Sequence, residues 1–237
     1  LPAGAAPRVP PVASYRIEAS WDAERKALVG RESVTFVNRT PRDVPDVVLH
    51  LYLNGFRNTR STLWRGLPPP AGSDDFGWCE LKRVALSGGT DLTGRVTFSL
   101  PENDNPDDRT LARVPLPAPV PPGGTLVLDV DFESRLPRGL LRTGWKDDFV
   151  FAGQWFPKLA KRTETGWRGR PFHASTEFFA DFGAYDVTLR LPAEVKGRVA
   201  VTGRVVEEEE EEGGRLKVRA RADDVHDFAF AFSPRFE

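Results

Sequence analysis

The leading candidate for a ligand-binding group is Gln154, which lies among the four aromatic side chains at positions 149–156. Its amide can donate and accept hydrogen bonds without adding a charge. Gly153 allows another backbone to approach closely, and Pro157 ends strand pairing because it has no N–H to donate. We interpret residues 149–158 as a strand that ends at the lip of a binding site. The same residue types also fit a strand end packed into an ordinary aromatic core.

Local motifs for catalysis or metal binding are absent from the sequence. The three histidines, His50, His173 and His226, lie far apart, and no His-Glu-x-x-His occurs. There is no nucleophile elbow and no phosphate-binding loop. A site built from three distant histidines stays open, although we expect His50 to be a packed, hydrogen-bonded imidazole within a strand. Cys79 is expected to be a small core residue. We therefore predict no catalytic residue and no metal ligand in this chain.

Residues 207–212 are six consecutive glutamates, followed by Gly213 and Gly214. Like charges repel one another and stay hydrated, so the run is expected to form a mobile, solvated hairpin tip. Binding of a cation or of a basic partner is the alternative interpretation.

Three tryptophans, Trp145, Trp155 and Trp167, lie close to the 149–158 segment in sequence. Exposed tryptophan rings could stack on sugars, or the three rings could cap the end of a β-sandwich. Both interpretations stay open at this point.

The composition limits the classes of protein to which this chain can belong. The 237 residues include 33 Lys and Arg and 34 Asp and Glu, so the net charge is −1. This balance gives no general attraction for nucleic acid. No apolar run approaches the ~20 residues of a membrane span. A single cysteine excludes an internal disulfide bond.

Alternation with a period of two residues dominates the chain and predicts β-strands. Tyr15, Ile17, Ala19 and Trp21 fall on one face of a strand, and residues 126–132 and 228–232 alternate in the same way. A further strand is predicted at 47–53, and polar or proline-rich loops at 68–75 and 101–108. Roughly a dozen short strands predict an all-β, sandwich-like assembly of mostly antiparallel sheets. We expect a Pro/Ala-rich lead-in at 1–14 and a single all-β domain at 15–237.

The first twelve residues resemble the segment that remains after a signal peptide is removed. The chain contains no methionine, so we expect a processed or trimmed product. A periplasmic or secreted location is favoured by this start, with a cytoplasmic one also open.

The order of several short motifs resembles the amino-terminal domain of M1-family zinc aminopeptidases, especially the bacterial branch. The resemblance covers about residues 15–236, nearly the whole chain. It depends on the following segments: Gly-Gln-Trp-Phe-Pro-Lys at 153–158, Gly-Trp at 166–167, Glu-Phe-Phe-Ala-Asp-Phe-Gly-Ala-Tyr-Asp-Val at 177–187, Val-Thr-Gly at 201–203, and Asp-Phe-Ala-Phe at 227–230.

The resemblance implies a saddle-shaped β-domain that packs on a thermolysin-like catalytic domain. The family's His-Glu-x-x-His and Gly-x-Met-Glu-Asn motifs are missing here, so zinc is expected only in a catalytic domain elsewhere in a parent polypeptide. The resemblance further implies that a loop of this domain helps to shape the subsite for the amino-terminal residue of a peptide substrate. Gln154, with Gly153 beside it, matches that position best.

The same resemblance implies an interface with the catalytic domain, for which Trp155, Phe156 and Trp167 are the candidates. Because adjacent strand residues point to opposite faces, we expect either Trp155 or Phe156 to face outward in an exposed apolar patch, with Gln154 at its rim. The alternative function is a free-standing β-sandwich module that binds a carbohydrate or a protein through exposed tryptophans, with Trp155 and Trp167 as the pair that would stack on a sugar.

Overall fold

The structure is a computed structural model that describes residues 11–68, 72, 75–98, 105–139, 141–175 and 178–237. Most of the predicted lead-in, parts of the two predicted loops, and Glu177 of the resemblance lie outside the described residues.

Strands dominate the described chain, as the alternation predicted. Their bounds are β1 (Ala13–Asp22), β2 (Ala27–Val37), β3 (Val44–His50), β4 (Trp78–Leu86), β5 (Leu111–Val120), β6 (Thr125–Arg135), β7 (Gly144–Lys146), β8 (Phe149–Ala152), β9 (Lys158–Leu159), β10 (Lys161–Thr163), β11 (Gly166–Arg168), β12 (Gly183–Pro192), β13 (Val199–Val201), β14 (Arg204–Glu211), β15 (Arg215–Val225) and β16 (Phe230–Phe232). Short 3-10 helices lie at Tyr52–Phe56, Thr62–Arg65, Thr93–Arg95 and Ala193–Val195. The all-β prediction is confirmed.

The largest sheet has seven strands in the order β14-β15-β12-β1-β2-β6-β4. Its pairs are antiparallel except for β1 and β12, which run parallel with Tyr15 opposite Tyr185. Tyr15, Ile17, Ala19 and Trp21 are all buried, because every second side chain of β1 faces the core.

Three smaller sheets complete the fold: β13-β16-β8-β7, β5-β3-β9, and the β10-β11 hairpin. One hydrophobic cluster joins the inner face of the large sheet to the three- and four-stranded sheets, through residues such as Ile17, Val47 and Phe230. In the described ranges, no helix has the length and apolarity needed to cross a membrane.

The prediction of a strand at 47–53 was wrong in its second half. β3 ends at His50, and the chain turns into the 3-10 helix at Tyr52–Phe56. The Asn54 side chain explains the turn, since its Nδ2 donates to the Cys79 carbonyl and its Oδ1 accepts from the Cys79 N–H, both at 3.0 Å. This amide fastens the helix to the start of β4.

The expectation that the glutamate run forms the tip of a hairpin was also wrong. The run lies mostly in β14, which forms an edge of the seven-stranded sheet, and only Glu212 and the two glycines make the turn. The Lys217 ammonium donates to Glu207 at 2.7 Å and to Glu209 at 2.8 Å. Lys217 on the neighbouring strand, with Arg190 and Lys196, therefore compensates part of the charge of the run. The exposed charges protect an open sheet edge from pairing with other chains.

Candidate functional site

Residues 153–158 carry the chain from one sheet to another. β8 ends at Ala152 in the four-stranded sheet, and β9 begins at Lys158 in the three-stranded sheet. The turn requires Gly153, because a Cβ there would lie 2.9 Å from the Arg142 carbonyl oxygen. Gln154 follows with a φ of 54°, in the left-handed region that few non-glycine residues adopt. A regular strand therefore ends before Gln154.

Trp155 and Phe156 are both buried, so the expectation that one of them faces outward was wrong. Trp155 is 0% exposed and its indole Nε1 donates to the Phe228 carbonyl at 3.0 Å. The rings of Trp155 and Phe156 lie 5.3 Å apart in an edge-on contact. Strand alternation does not apply here, because the left-handed turn at Gln154 directs both rings into the core.

Gln154 is 4% exposed and lies inside the chain, not at the rim of an apolar patch as expected. Its Nε2 donates to Oδ2 of Asp227 at 2.6 Å, in the segment that leads into β16. Its Oε1 is buried and has no hydrogen-bond partner among the described residues. The site thus contains one amide oxygen whose capacity to accept a hydrogen bond is unused.

Lys158 is a buried cation held by the same carboxylate. Its Nζ contacts Asp227 Oδ1 and the His226 carbonyl oxygen, each at 3.2 Å, and lies 5.7 Å from the centre of the Tyr52 ring. Burial lowers the pKa of Lys158, and the negative charge of Asp227 opposes that shift. Asp227 therefore balances the charge of Lys158 and also accepts a hydrogen bond from Gln154.

The His50 ring stacks on the Tyr52 ring, with the two ring centres 4.4 Å apart. Burial, with the nearby Lys158 charge, lowers the pKa of His50 to about 3. The imidazole is packed as expected, but the predicted hydrogen bond is missing, since neither ring nitrogen has a partner among the described residues. The position of His50 in a strand predicted that its ring is packed. It could not show whether the ring nitrogens have hydrogen-bond partners.

Two exposed phenylalanines near this cluster were missed by the sequence interpretation. Phe182 is 60% exposed and contacts the His226 ring at 5.7 Å, and Phe179 is 50% exposed. The Tyr52 hydroxyl fixes the Phe179 backbone, accepting from its N–H at 3.2 Å and donating to its carbonyl at 3.4 Å. The available signal was the aromatic cluster at 178–182, which precedes β12 without strand alternation.

Trp167 is half-buried in β11, and its polar edge is already used. Its Nε1 donates to the Asp46 carboxylate at 2.9 Å and lies 3.1 Å from the Asp46 carbonyl oxygen. Since Trp155 is buried, the proposed pair of sugar-stacking tryptophans does not exist on the surface. This removes the main support for a carbohydrate-binding module.

The chemically reactive side chains do not converge. Cys79 is buried, and burial raises the pKa of its thiol to about 12, which fits the predicted core role. Within the described ranges, no group of three His, Cys, Asp or Glu residues is placed to hold a metal ion. What the segment at 153–158 brings together is a carboxylate, an ammonium and an amide.

Solved structures of M1 zinc metallopeptidases have a similar fold. The enzyme from Deinococcus radiodurans matches 94% of this chain with a TM-score of 0.54 and 15% identity, and the match spans 42% of that protein. A mutant of the same metallopeptidase bound to a Tyr-Ser-Ala substrate gives the same values. Legionella pneumophila aminopeptidase A in complex with aspartic acid matches 94% of this chain with a TM-score of 0.53 and 12% identity, over 21% of its own length.

The sequence itself matches no protein-family model, and a search of curated proteins found no relative. The structural matches show that the chain has the fold found in part of the M1 zinc metallopeptidases. The chain spans less than half the length of the structures described above.

Proposed function

We propose that this chain is the non-catalytic amino-terminal domain of an M1-family zinc aminopeptidase, packed on a thermolysin-like domain that holds the zinc. The observation that supports the proposal is the unequal match, which covers 94% of this chain but 42% of the Deinococcus radiodurans protein. The absence of His-Glu-x-x-His from the whole sequence agrees with a zinc site elsewhere in the parent polypeptide.

The surface proposed to meet the catalytic domain is the docking patch, defined here as Phe182 and the ring of His226. Phe182 is the most exposed large apolar side chain of the described residues. His226 precedes Asp227, so the docking patch adjoins the buried cluster of Gln154 and Lys158. Trp155 and Phe156 support this region from inside, and Trp167 stays a candidate for the rim of the interface.

Replacing Phe182 with alanine is expected to weaken docking without destabilising the chain. The side chain is 60% exposed, so its truncation removes little packing within this domain. Its loss removes apolar area from the proposed interface, which we expect to weaken association by about 5- to 30-fold if the ring is a central contact. The measurement is titration calorimetry between this chain and the separately purified zinc-binding remainder of the parent polypeptide.

Val29→Ala is the matched control, because Val29 is 50% exposed on β2 and lies outside the docking patch. Aminopeptidase assays on each part and on the mixture accompany the titration. Hydrolysis of an aminoacyl p-nitroanilide by this chain alone, with one zinc ion retained through dialysis, would contradict the proposal. So would a parent polypeptide that contains no zinc-binding segment.

Gln154 is proposed to assist substrate binding through its unpartnered Oε1, which could accept a hydrogen bond from the amino end of a peptide. The Nε2–Asp227 contact would fix the amide so that Oε1 keeps one orientation. Gly153 would allow the close approach of the Arg142 backbone that shapes this turn. The peptide would reach Oε1 only if docking or substrate binding opens the turn, since Gln154 is buried in the chain alone.

Gln154→Ala in the intact parent enzyme is expected to lower kcat/KM. The corresponding loss of transition-state stabilisation is about 0.5–1.5 kcal/mol, the contribution of one hydrogen bond. The Tm of each variant separates this role from a structural one. Asn58→Ala is the control, because it removes an amide that donates to the Asp107 carbonyl outside the site. A Gln154→Ala enzyme with unchanged kcat/KM and a lowered Tm would leave Gln154 a purely structural residue.

A further inference from the structure

A pocket of about 470 Å³ opens beside the β10-β11 hairpin, next to the buried cluster. His50 and Tyr52 line it from β3 and the 3-10 helix that follows, and Phe179 lines it from the segment before β12. A volume of this order suits a small organic molecule.

Cationic side chains surround the opening of this pocket. Lys161, Arg168 and Arg170 all line it, and both arginines are exposed. Lys161 pairs with Asp181 at 2.8 Å, whereas Arg168 donates to the Thr165 hydroxyl at 3.1 Å. Neither arginine has an acidic partner within the described residues. The pocket therefore has an excess of positive charge that this part of the chain does not neutralise.

His50 supplies an independent sign of a ligand. The side chain is buried, lines the pocket, and leaves both ring nitrogens without a partner among the described residues. A neutral imidazole offers one N–H donor and one acceptor nitrogen. Buried polar groups nearly always have a partner, so this unpaired imidazole is a group in the wall that a ligand can satisfy when the ring turns toward the pocket.

The remaining wall is apolar and fixed in place. The Tyr52 ring is held by its stack on His50, and its hydroxyl is occupied by the Phe179 backbone. Phe179 is half exposed and Lys161 lies 5.5 Å from the centre of its ring. The pocket thus combines flat aromatic surface with guanidinium groups, which match a carboxylate in shape and charge.

We propose that this pocket binds a small organic anion with a flat apolar body, of the aromatic carboxylate class. The ring of the ligand would pack against the exposed Phe179, and its carboxylate would pair with Arg168 and Arg170. His50 would turn its ring toward the pocket and form a hydrogen bond with a polar atom of the ligand.

The test uses 1-naphthoate as the probe and 1-naphthalenemethanol as its neutral analogue, titrated calorimetrically into the full chain. Saturable binding of one 1-naphthoate per chain is expected, with an affinity at least about tenfold higher than that of the neutral analogue. Raising the salt concentration is expected to weaken binding of 1-naphthoate only. The ring ¹⁵N signals of His50 are expected to shift on saturation.

Arg168→Gln and Arg170→Gln are each expected to weaken 1-naphthoate binding by about 3- to 10-fold. Both side chains are exposed, so the variants are expected to fold normally. Arg95→Gln, an exposed arginine in a separate 3-10 helix, is the control and is expected to bind with unchanged affinity. Equal binding of the neutral analogue, loss of affinity in the control, or no saturable binding with unmoved His50 signals would each overturn the proposal.

Discussion

Replacing Asp227 with alanine is expected to lower the free energy of unfolding by about 3–5 kcal/mol, because it leaves the buried Lys158 ammonium without its counter-charge. The Asp227 carboxylate contacts the Lys158 ammonium at 3.2 Å and the Gln154 amide at 2.6 Å. Without it, the Lys158 ammonium stays buried and keeps its contacts with the His226 carbonyl and the Tyr52 ring, and the Gln154 Nε2 loses the Asp227 carboxylate. Chemical denaturation followed by tryptophan fluorescence measures the loss.

The pH dependence of this defect has a definite sign. Burial already lowers the pKa of Lys158, and removal of the opposing Asp227 charge lowers it further. The unfolded chain then binds more protons than the folded chain between the two pKa values, so stability rises with pH in that window. The Asp227→Ala defect is expected to shrink as the pH rises toward 10.5, the ordinary pKa of lysine.

Two comparisons make the result specific. Asp227→Asn keeps the acceptor oxygen and removes the charge. Its free energy of unfolding is therefore expected to lie between those of the wild type and Asp227→Ala. Asp148→Ala removes an exposed carboxylate that pairs with Arg235, and it is expected to change stability little. An Asp227→Ala variant as stable as Asp148→Ala would contradict the assignment of Asp227 as the counter-charge of the buried Lys158.

Replacing Glu32 with leucine is expected to stabilise the chain by about 1–3 kcal/mol at neutral pH. Glu32 lies on the core-facing side of β2, between Ile17 on β1 and Val130 on β6 in the strand register. It is buried and neither carboxylate oxygen has a hydrogen-bond partner among the described residues. Leucine has a similar volume, lacks the two unsatisfied oxygens and places an apolar side chain in the core.

Glu32 also predicts how stability varies with pH. Burial raises its pKa well above the ordinary value of 4.5, so the folded chain keeps a proton that the unfolded chain releases. Stability is therefore lost as the pH rises above about 4.5, up to the raised pKa in the folded chain. The advantage of Glu32→Leu over the wild type is expected to widen across that range. Thermal unfolding of both proteins between pH 4 and pH 8 measures it.

Glu18→Leu is the control for this experiment, since Glu18 is a partly exposed glutamate of the neighbouring strand that pairs with Arg31. It is expected to change stability little at any of these pH values. Stability curves of Glu32→Leu and the wild type that stay parallel from pH 4 to pH 8 would show that Glu32 is not held protonated in the core.

The sequence by itself determined the fold class and the faces of the long strands. Tyr15, Ile17, Ala19 and Trp21 all face the core as their spacing predicted, and so do Phe228, Phe230 and Phe232. Such patterns are local, because a period of two residues places a side chain on one face whatever strand lies beside it. The core position of Cys79 followed from its residue type in the same way.

Only the tertiary structure decided the contacts of the candidate site. Gln154 meets Asp227 across 73 residues of chain, and no local pattern records such a pair. The left-handed turn at Gln154 sends both Trp155 and Phe156 inward, although alternation had placed one of them outside. The glutamate run became an edge strand because it pairs with β15, and because Lys217, Arg190 and Lys196 compensate its charge. In each case, the deciding interaction joins residues that are separated in sequence and meet only when the sheets assemble.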